Sequence, residues 1–168
     1  KTVRKATNPF TGAVEESVTK VYYNALGEKE RVAVAVGDGR WQETKYAYNA
    51  LGLLASETDG EGHITSYEYD YRGNRTAVID AQNRVTRYNY DELGRLIATT
   101  LPGGRVSSIL YDRAGNKVWV FDATGVKHRY VYTRRGLLAE EWLVGSDADL
   151  SSWAGTLLVR NSYSVSGL

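Results

Sequence analysis

Tyr67-Glu68-Tyr69-Asp70-Tyr71-Arg72-Gly73 and Tyr88-Asn89-Tyr90-Asp91-Glu92-Leu93-Gly94 are two copies of one phrase, placed 21 residues apart. A Tyr followed four residues later by a Gly recurs along most of the chain. Successive tyrosines are separated by 25, 21, 21, 21, 21 and 31 residues. A fixed period of this length indicates a repeat architecture and decides the fold before any single site is considered. The pairs are Tyr23/Gly27, Tyr48/Gly52, Tyr69/Gly73, Tyr90/Gly94, Tyr111/Gly115, Tyr132/Gly136 and Tyr163/Gly167.

One repeat unit reads as two strands and two turns. In the copy from Asn74 to Gly94, β-branched residues predict a strand over Asn74–Ile79, and alternation predicts a second over Arg84–Tyr90. Asp80–Asn83 and Asp91–Gly94 are predicted turns. An Asp or Asn at the start of a turn accepts a bond from a backbone amide two residues on, and Gly takes positive φ without steric cost. The short connections predict an antiparallel meander of hairpins.

The second strand of each unit carries three columns of related residues. The first column is the repeat tyrosine itself. The position two residues before it is mostly aromatic, and the position four residues before it is mostly Thr, as in Tyr69, Tyr67 and Thr65. Side chains two apart in a strand point to the same face. The intervening residues, such as Glu68, are mostly polar. We therefore expect a single curved sheet that is aromatic on one face and wet on the other.

The regular array is predicted over residues 19–168, after a degenerate partial repeat at 1–18. The two longer steps place additional residues near 36–41 and 144–153, each with a tryptophan, Trp41 and Trp153. Such additions are loops that carry binding specificity or simply longer hairpins, and the second interpretation is favoured. The sequence contains no Met, even at position 1, which is typical of a piece excised from a longer protein. No signal peptide heads it, and no apolar run approaches membrane-spanning length.

Composition and motifs argue against an enzyme. With 21 basic and 20 acidic residues there is no electrostatic case for nucleic acid, and without Cys there are no thiolate sites. His128 occupies the Thr column, and His63 has no partner by position. Glu140 and Glu141 are adjacent on a strand and point to opposite faces. No catalytic residue, metal site or cofactor is predicted.

Two further motifs also have structural interpretations. Asp59, Asp80 and Asp122 suggest calcium, but they recur at turn starts, where bonding to the backbone explains them. Ser164–Gly167 superficially resembles a nucleophile elbow but is the seventh repeat turn.

The phrase Tyr-x-Tyr-Asp-x-x-Gly resembles the Rhs or YD repeat. The resemblance covers roughly residues 20–168, with departures at Thr133, Asn161 and Leu101. It implies an arc of a β-sheet that spirals into a hollow shell, as in bacterial Rhs polymorphic toxins, insecticidal toxin-complex cocoons and teneurin-like proteins.

The resemblance also implies a location and partners. The location is secreted or on the surface of a bacterial cell, and delivery by a secretion system is a route that the sequence leaves open. The partners are the rest of the shell and an enclosed C-terminal effector.

Three function classes follow from the sequence. The first is a non-enzymatic wall that encloses or presents an effector or interaction domain. The alternative is a carbohydrate-binding surface module, with Trp41 and Trp153 as candidate ligand loops, because exposed aromatic planes suit sugar rings. The third is self-association through exposed sheet edges. The regular columns favour the wall, because a ligand site is singular and these residues repeat.

Overall fold

A computed structural model describes residues 2–7, 14–144 and 155–163, with side chains described from residue 18 onwards. The chain divides into two compact units, Lys1–Arg84 and Val85–Leu168. All regular secondary structure among the described residues is β-strand. None of the described residues forms a helix that could cross a membrane.

Each compact unit is a meander in which consecutive strands pair antiparallel. This confirms the predicted all-β hairpin array. The first contains β1 Thr2–Thr7, β2 Val14–Tyr23, β3 Lys29–Ala35, β4 Trp41–Tyr48, β5 Leu54–Thr58, β6 Ile64–Tyr69 and β7 Arg75–Ile79. The second contains β8 Val85–Tyr90, β9 Leu96–Thr100, β10 Val106–Tyr111, β11 Lys117–Phe121, β12 Lys127–Tyr132, β13 Leu138–Val144 and β14 Gly155–Arg160.

The additional residues near 36–41 lengthen a hairpin. In the regular repeat units the strands are five and six residues long, as in β5 and β6, whereas β3 has seven residues and β4 has eight. Each strand therefore gains two residues, and the connecting turn at Gly37–Arg40 stays short, with Arg40 N donating to Gly37 O at 2.9 Å. The other addition falls almost wholly on residues 145–154, which lie outside the described residues.

Burial differs between the two strands of a repeat unit. We call the face that carries Thr65, Tyr67 and Val78 the tyrosine face, and its reverse the opposite face. On the second strands β6 and β8 the tyrosine face is half-exposed and the opposite face is more exposed, as the sequence predicts. The buried apolar residues of the described chain are Ala33, Ala77 and Val144. All three lie on the opposite face of first strands, for which no burial is predicted from the sequence.

Long polar side chains explain how these residues are covered. Ala33 pairs with Lys20 on one side and Glu43 on the other, and Ala77 pairs with Glu68. Long side chains such as these lay their methylene stems over small neighbours while the charged end stays in water. A residue as small as Ala is therefore fully covered on a face that reads as polar.

Candidate functional site

The repeat tyrosine stands where the strand pairing inside a repeat unit has ended. Between β5 and β6 the ladder covers only three pairs and stops at Ser56–Ser66. Beyond that point the Tyr69 hydroxyl donates to the carbonyl oxygen of Leu54, the first residue of β5, at 2.8 Å. The side chain thus supplies a hydrogen bond that the diverging backbones do not make. A carbonyl left without a partner away from water would cost free energy.

Among the described contacts the same bond is present at five repeat tyrosines. It reaches the first residue of the strand before the tyrosine's own strand, and for Tyr163, which follows β14, it reaches the first residue of β13. The ladders between β9 and β10 and between β11 and β12 also stop after three pairs. The donor and acceptor pairs are Tyr48 to Lys29, Tyr69 to Leu54, Tyr111 to Leu96, Tyr132 to Lys117 and Tyr163 to Leu138, at 2.7 to 2.9 Å.

A register shift accompanies the tyrosine on its other side. Glu68 pairs with Ala77 and Tyr69 pairs with Arg75, so that Thr76 is the extra residue of a β-bulge. Equivalent shifts stand directly before Tyr23, Tyr48, Tyr90, Tyr111 and Tyr132. A bulge bends its strand and increases the local twist. These repeat units therefore bend at the same point of their sequence.

The turn that follows the tyrosine is held by its first side chain. Asp70 Oδ1 accepts from the backbone amides of Arg72 and Asn74 at 2.9 and 2.8 Å, and Oδ2 accepts from the Asn74 side chain at 2.9 Å. Gly73 closes the turn at φ +86° and donates to the Asp70 carbonyl. The same paired backbone bonds form at Asn24, Asn49, Asp59, Asp80, Asp91 and Asp122.

The repeat glycines serve the backbone of these turns and are not packing positions. The six that the structure describes lie at φ between +73° and +90°, and each donates its amide to the carbonyl of the residue three before it. Gly73 and Gly94 are partly covered, whereas the other four are exposed to solvent: Gly27, Gly52, Gly115 and Gly136. A Cβ atom on any of these four would meet nothing within 4 Å or only the end of a flexible side chain. Their place in the repeat therefore follows from the left-handed φ, and no ligand or core contact requires it.

Two turns that lack the Asp or Asn of the motif are held in the same conformation by other residues. Thr133 accepts from Leu137 N through its hydroxyl at 3.2 Å. Leu101 has no side-chain acceptor, and its turn contains Pro102 and two glycines at positive φ, Gly103 and Gly104. The backbone geometry is therefore preserved at both departures.

Hydrogen bonds lower the pKa of the turn aspartates. For Asp70 the largest cause is the bond from the Asn74 side chain, followed among the stabilising contacts by the backbone amides. Backbone bonds dominate at Asp80 and Asp91, where the pKa is also lowered. The pKa of Asp59, Asp112 and Asp122 lies below its ordinary value for related reasons. The charged form of these carboxylates is thus favoured in the folded chain.

We expect this arrangement to make the chain sensitive to acid. Because the folded-state pKa is lower than the unfolded one, the stabilisation is complete above about pH 4 and is lost as pH falls through the folded value. The melting temperature should stay level from about pH 7 to pH 5 and fall steeply below about pH 4. Circular dichroism melts across this range measure it.

Asp122→Asn is the matched variant for the acid response. Its amide oxygen can keep the bonds that Asp122 Oδ1 now accepts from Thr124 and Val126, as the side chain of Asn49 does in its own turn. The variant should therefore fold with a shallower acid transition. A melting temperature of the unaltered chain that is level down to about pH 2 would contradict the account.

Both histidines have structural partners. His128 stacks on Tyr130, with ring centres 6.4 Å apart, and its Nδ1 lies 3.2 Å from Glu141 Oε1. His63, which has no partner by its position in the repeat, places Nδ1 2.9 Å from Asp59 Oδ2 in an exposed turn. This bond is the main cause of the raised pKa of His63. Burial, aided by Glu141, raises the pKa of Tyr130.

Glu140 and Glu141 take partners on opposite faces. Glu140 accepts from the Trp142 indole at 2.9 Å and from Arg160 at 3.0 Å, whereas Glu141 faces His128. Within the part of the chain that is described, no three His, Asp or Glu side chains are grouped to hold a metal ion.

Of the two tryptophans in the predicted ligand loops, the structure describes only Trp41. Trp41 is the first residue of β4, is 37% exposed, and has the Lys20 ammonium 4.0 Å from its ring centre. Trp153 and Gly167 lie outside the described residues. No sequence signal marks the Lys20 contact, because the two residues lie on different strands that are separated by β3.

These features define a structural class of protein: an array of β-hairpins in which the hydroxyl of the repeat tyrosine donates a hydrogen bond to the first residue of the preceding strand. The RHS Repeat family model matches residues 48–84 and 69–106. Residues 48–106 of the chain are therefore similar to RHS repeats. No curated protein matches the sequence.

Solved structures share the fold. A Tc holotoxin pore of Photorhabdus luminescens is similar over 79% of this chain and 8% of that chain, at 15% identity and a TM-score of 0.65. A TcdB2-TccC3 crystal structure is similar over 74% of this chain and 8% of that one, at 14% identity and a TM-score of 0.61. The present chain therefore spans only a small part of the length of the proteins it resembles.

Proposed function

We propose that this chain is a segment of the wall of a shell, which encloses or presents a toxin, effector or interaction domain. The observation that carries the proposal is the recurring tyrosine contact, as when Tyr69 bonds Leu54. The repeat units share this bond and the same turn, so units can be added without a new kind of contact. Repeat units of this kind can extend a sheet over a large area, which is what a barrier requires.

Two further observations support a wall over a catalyst. The titratable groups that sequence analysis weighed take part in contacts of the sheet or of its turns: His128 with Glu141 across strands, and His63 with Asp59 within a turn. The likeness to the Tc structures covers about a twelfth of their length, so a sheet of this fold can be a small part of a much larger body. In this proposal the partners are the remaining wall and an enclosed C-terminal effector, and the protein is secreted or exposed at the cell surface.

The test is an electron cryo-microscopy structure of the natural protein that contains this segment. We expect residues 19–163 to follow the wall of a hollow shell, with density for other polypeptide inside it. Limited trypsin digestion should then leave the enclosed polypeptide intact while exposed regions are cut. An array that stands in solvent on both faces, with no enclosed polypeptide, would overturn the proposal.

A further inference from the structure

Beside the lengthened hairpin β3–β4 lies a cavity whose counterpart beside β6, next to the turn Asp80–Asn83, is lined by other side chains. The turn Asp59–Gly62 packs against the side of β4. A Cβ atom on Gly60 would lie 2.7 Å from Gln42 Cγ and 3.4 Å from the Glu43 carbonyl oxygen. The backbone of this turn therefore lies directly on β4, and only glycine fits there without a shift.

A notch lies between the side of β4 and this turn. It is a cavity of about 370 Å³, lined by Trp41, Glu43, Lys45, Thr58, Asp59, Gly60 and Gly62. This volume is at the small end of the range for small-molecule sites, ~300–1,000 Å³. A Cβ atom on Gly62 would meet nothing within 4 Å, so the turn side of the notch is open to a ligand that approaches the backbone.

One wall of the notch is aromatic. Trp41 is partly exposed, and the Lys20 ammonium from β2 lies 4.0 Å from its ring centre. The notch lies on the other flank of β4, towards β5 and β6. A flat indole beside polar groups suits a ligand that has both an apolar face and hydroxyl groups.

The acidic side chains that line the notch already have hydrogen-bond partners, whereas its lysine has none in the part of the chain that the structure describes. Glu43 is bound by Arg31 at 2.6 Å, and the Asp59 carboxylate accepts from its own turn amides and from His63. Lys45, among the described residues, has no hydrogen-bond or ion-pair partner. The group in the notch that is left for a ligand is thus an ammonium, which favours a carboxylate through a charge-assisted hydrogen bond.

We propose that this notch binds a carboxylate-bearing sugar ring, such as a uronic acid residue of an acidic polysaccharide. The apolar face of the ring lies on Trp41, its carboxylate meets Lys45, and its hydroxyl groups reach Thr58 and the glycine turn. The proposal does not depend on the wall function, since a barrier can carry such a site or lack it.

The experiment is calorimetric titration of the chain with trigalacturonic acid, with galactotriose as the neutral ligand of matched size. We expect trigalacturonic acid to bind at least tenfold more tightly than galactotriose. Lys45→Gln should weaken binding of the acid about tenfold, the loss of one charge-assisted bond of about 1.4 kcal/mol. Trp41→Val, which keeps a strand-forming residue, should abolish measurable binding.

Lys117→Gln is the matched control, because it removes the same charge from an exposed lysine at the start of β11 and should bind as the unaltered chain does. Circular dichroism shows that each variant is folded. The proposal is overturned if the unaltered chain does not bind trigalacturonic acid at about 10 mM, a concentration at which even weak sites fill. It is equally overturned if Lys45→Gln and Lys117→Gln bind alike, or if galactotriose binds as well as the acid.

Discussion

Replacing Tyr69 by Ala is expected to lower the free energy of unfolding by about 2–3 kcal/mol, less than a fully buried aromatic because the ring is half-exposed. The substitution removes the packing of the ring and leaves the Leu54 carbonyl without the hydroxyl that bonds it at 2.8 Å. Tyr69→Phe keeps the ring and loses the hydroxyl, so it should cost about 1 kcal/mol. Urea unfolding followed by circular dichroism measures both differences.

Tyr71 provides the matched control two residues away. Its side chain is 85% exposed on the following turn, and its hydroxyl accepts from the Arg72 side chain. Tyr71→Ala should therefore change the free energy of unfolding by less than about 0.5 kcal/mol. Equal losses for Tyr69→Ala and Tyr71→Ala would mean that the repeat tyrosine has no special role.

Replacing Gly73 by Val should also cost about 2–3 kcal/mol, through the backbone. Gly73 lies at φ +86°, a region in which a β-branched residue is a strong outlier. A Cβ atom there would lie 3.8 Å from Leu53 Cδ1, an ordinary contact, so the cost is conformational and does not arise from a clash. The fall in the urea midpoint measures it.

Gly73→Asn separates these two causes. Asn tolerates the left-handed region, and Asn83 adopts it at φ +59° in the turn that follows β7. We therefore expect Gly73→Asn to cost less than about 1 kcal/mol. A loss as large as that of Gly73→Val would point to crowding at the turn and away from backbone strain.

Periodicity and turn chemistry were sufficient to predict the hairpin array. For the unit from Asn74 to Gly94 the sequence predicts strands over 74–79 and 84–90, and the structure has β7 Arg75–Ile79 and β8 Val85–Tyr90, within one residue of both. The reason is local: Asp and Gly at fixed offsets determine each turn through bonds within five residues. Such bonds do not depend on the rest of the molecule.

The features that sequence analysis missed depend on contacts between strands. The bond from Tyr69 to Leu54 follows from where the ladder between β5 and β6 ends, and no residue type marks that end. The burial of Ala77 depends on how longer side chains lie over it, beyond the alternation of polar and apolar residues. The notch beside Trp41 depends on how the turn Asp59–Gly62 lies against β4, a contact between residues far apart in sequence.

The most direct test of the central account is the carbonyl ¹³C chemical shift of Leu54 in the unaltered chain and in Tyr69→Phe. A carbonyl that loses a hydrogen bond moves upfield, so the Leu54 signal should shift. The Leu96 carbonyl, bonded by Tyr111 at 2.9 Å, should keep its shift and act as the internal reference. An unchanged Leu54 signal in the folded variant would contradict the account that the tyrosine hydroxyl closes the repeat.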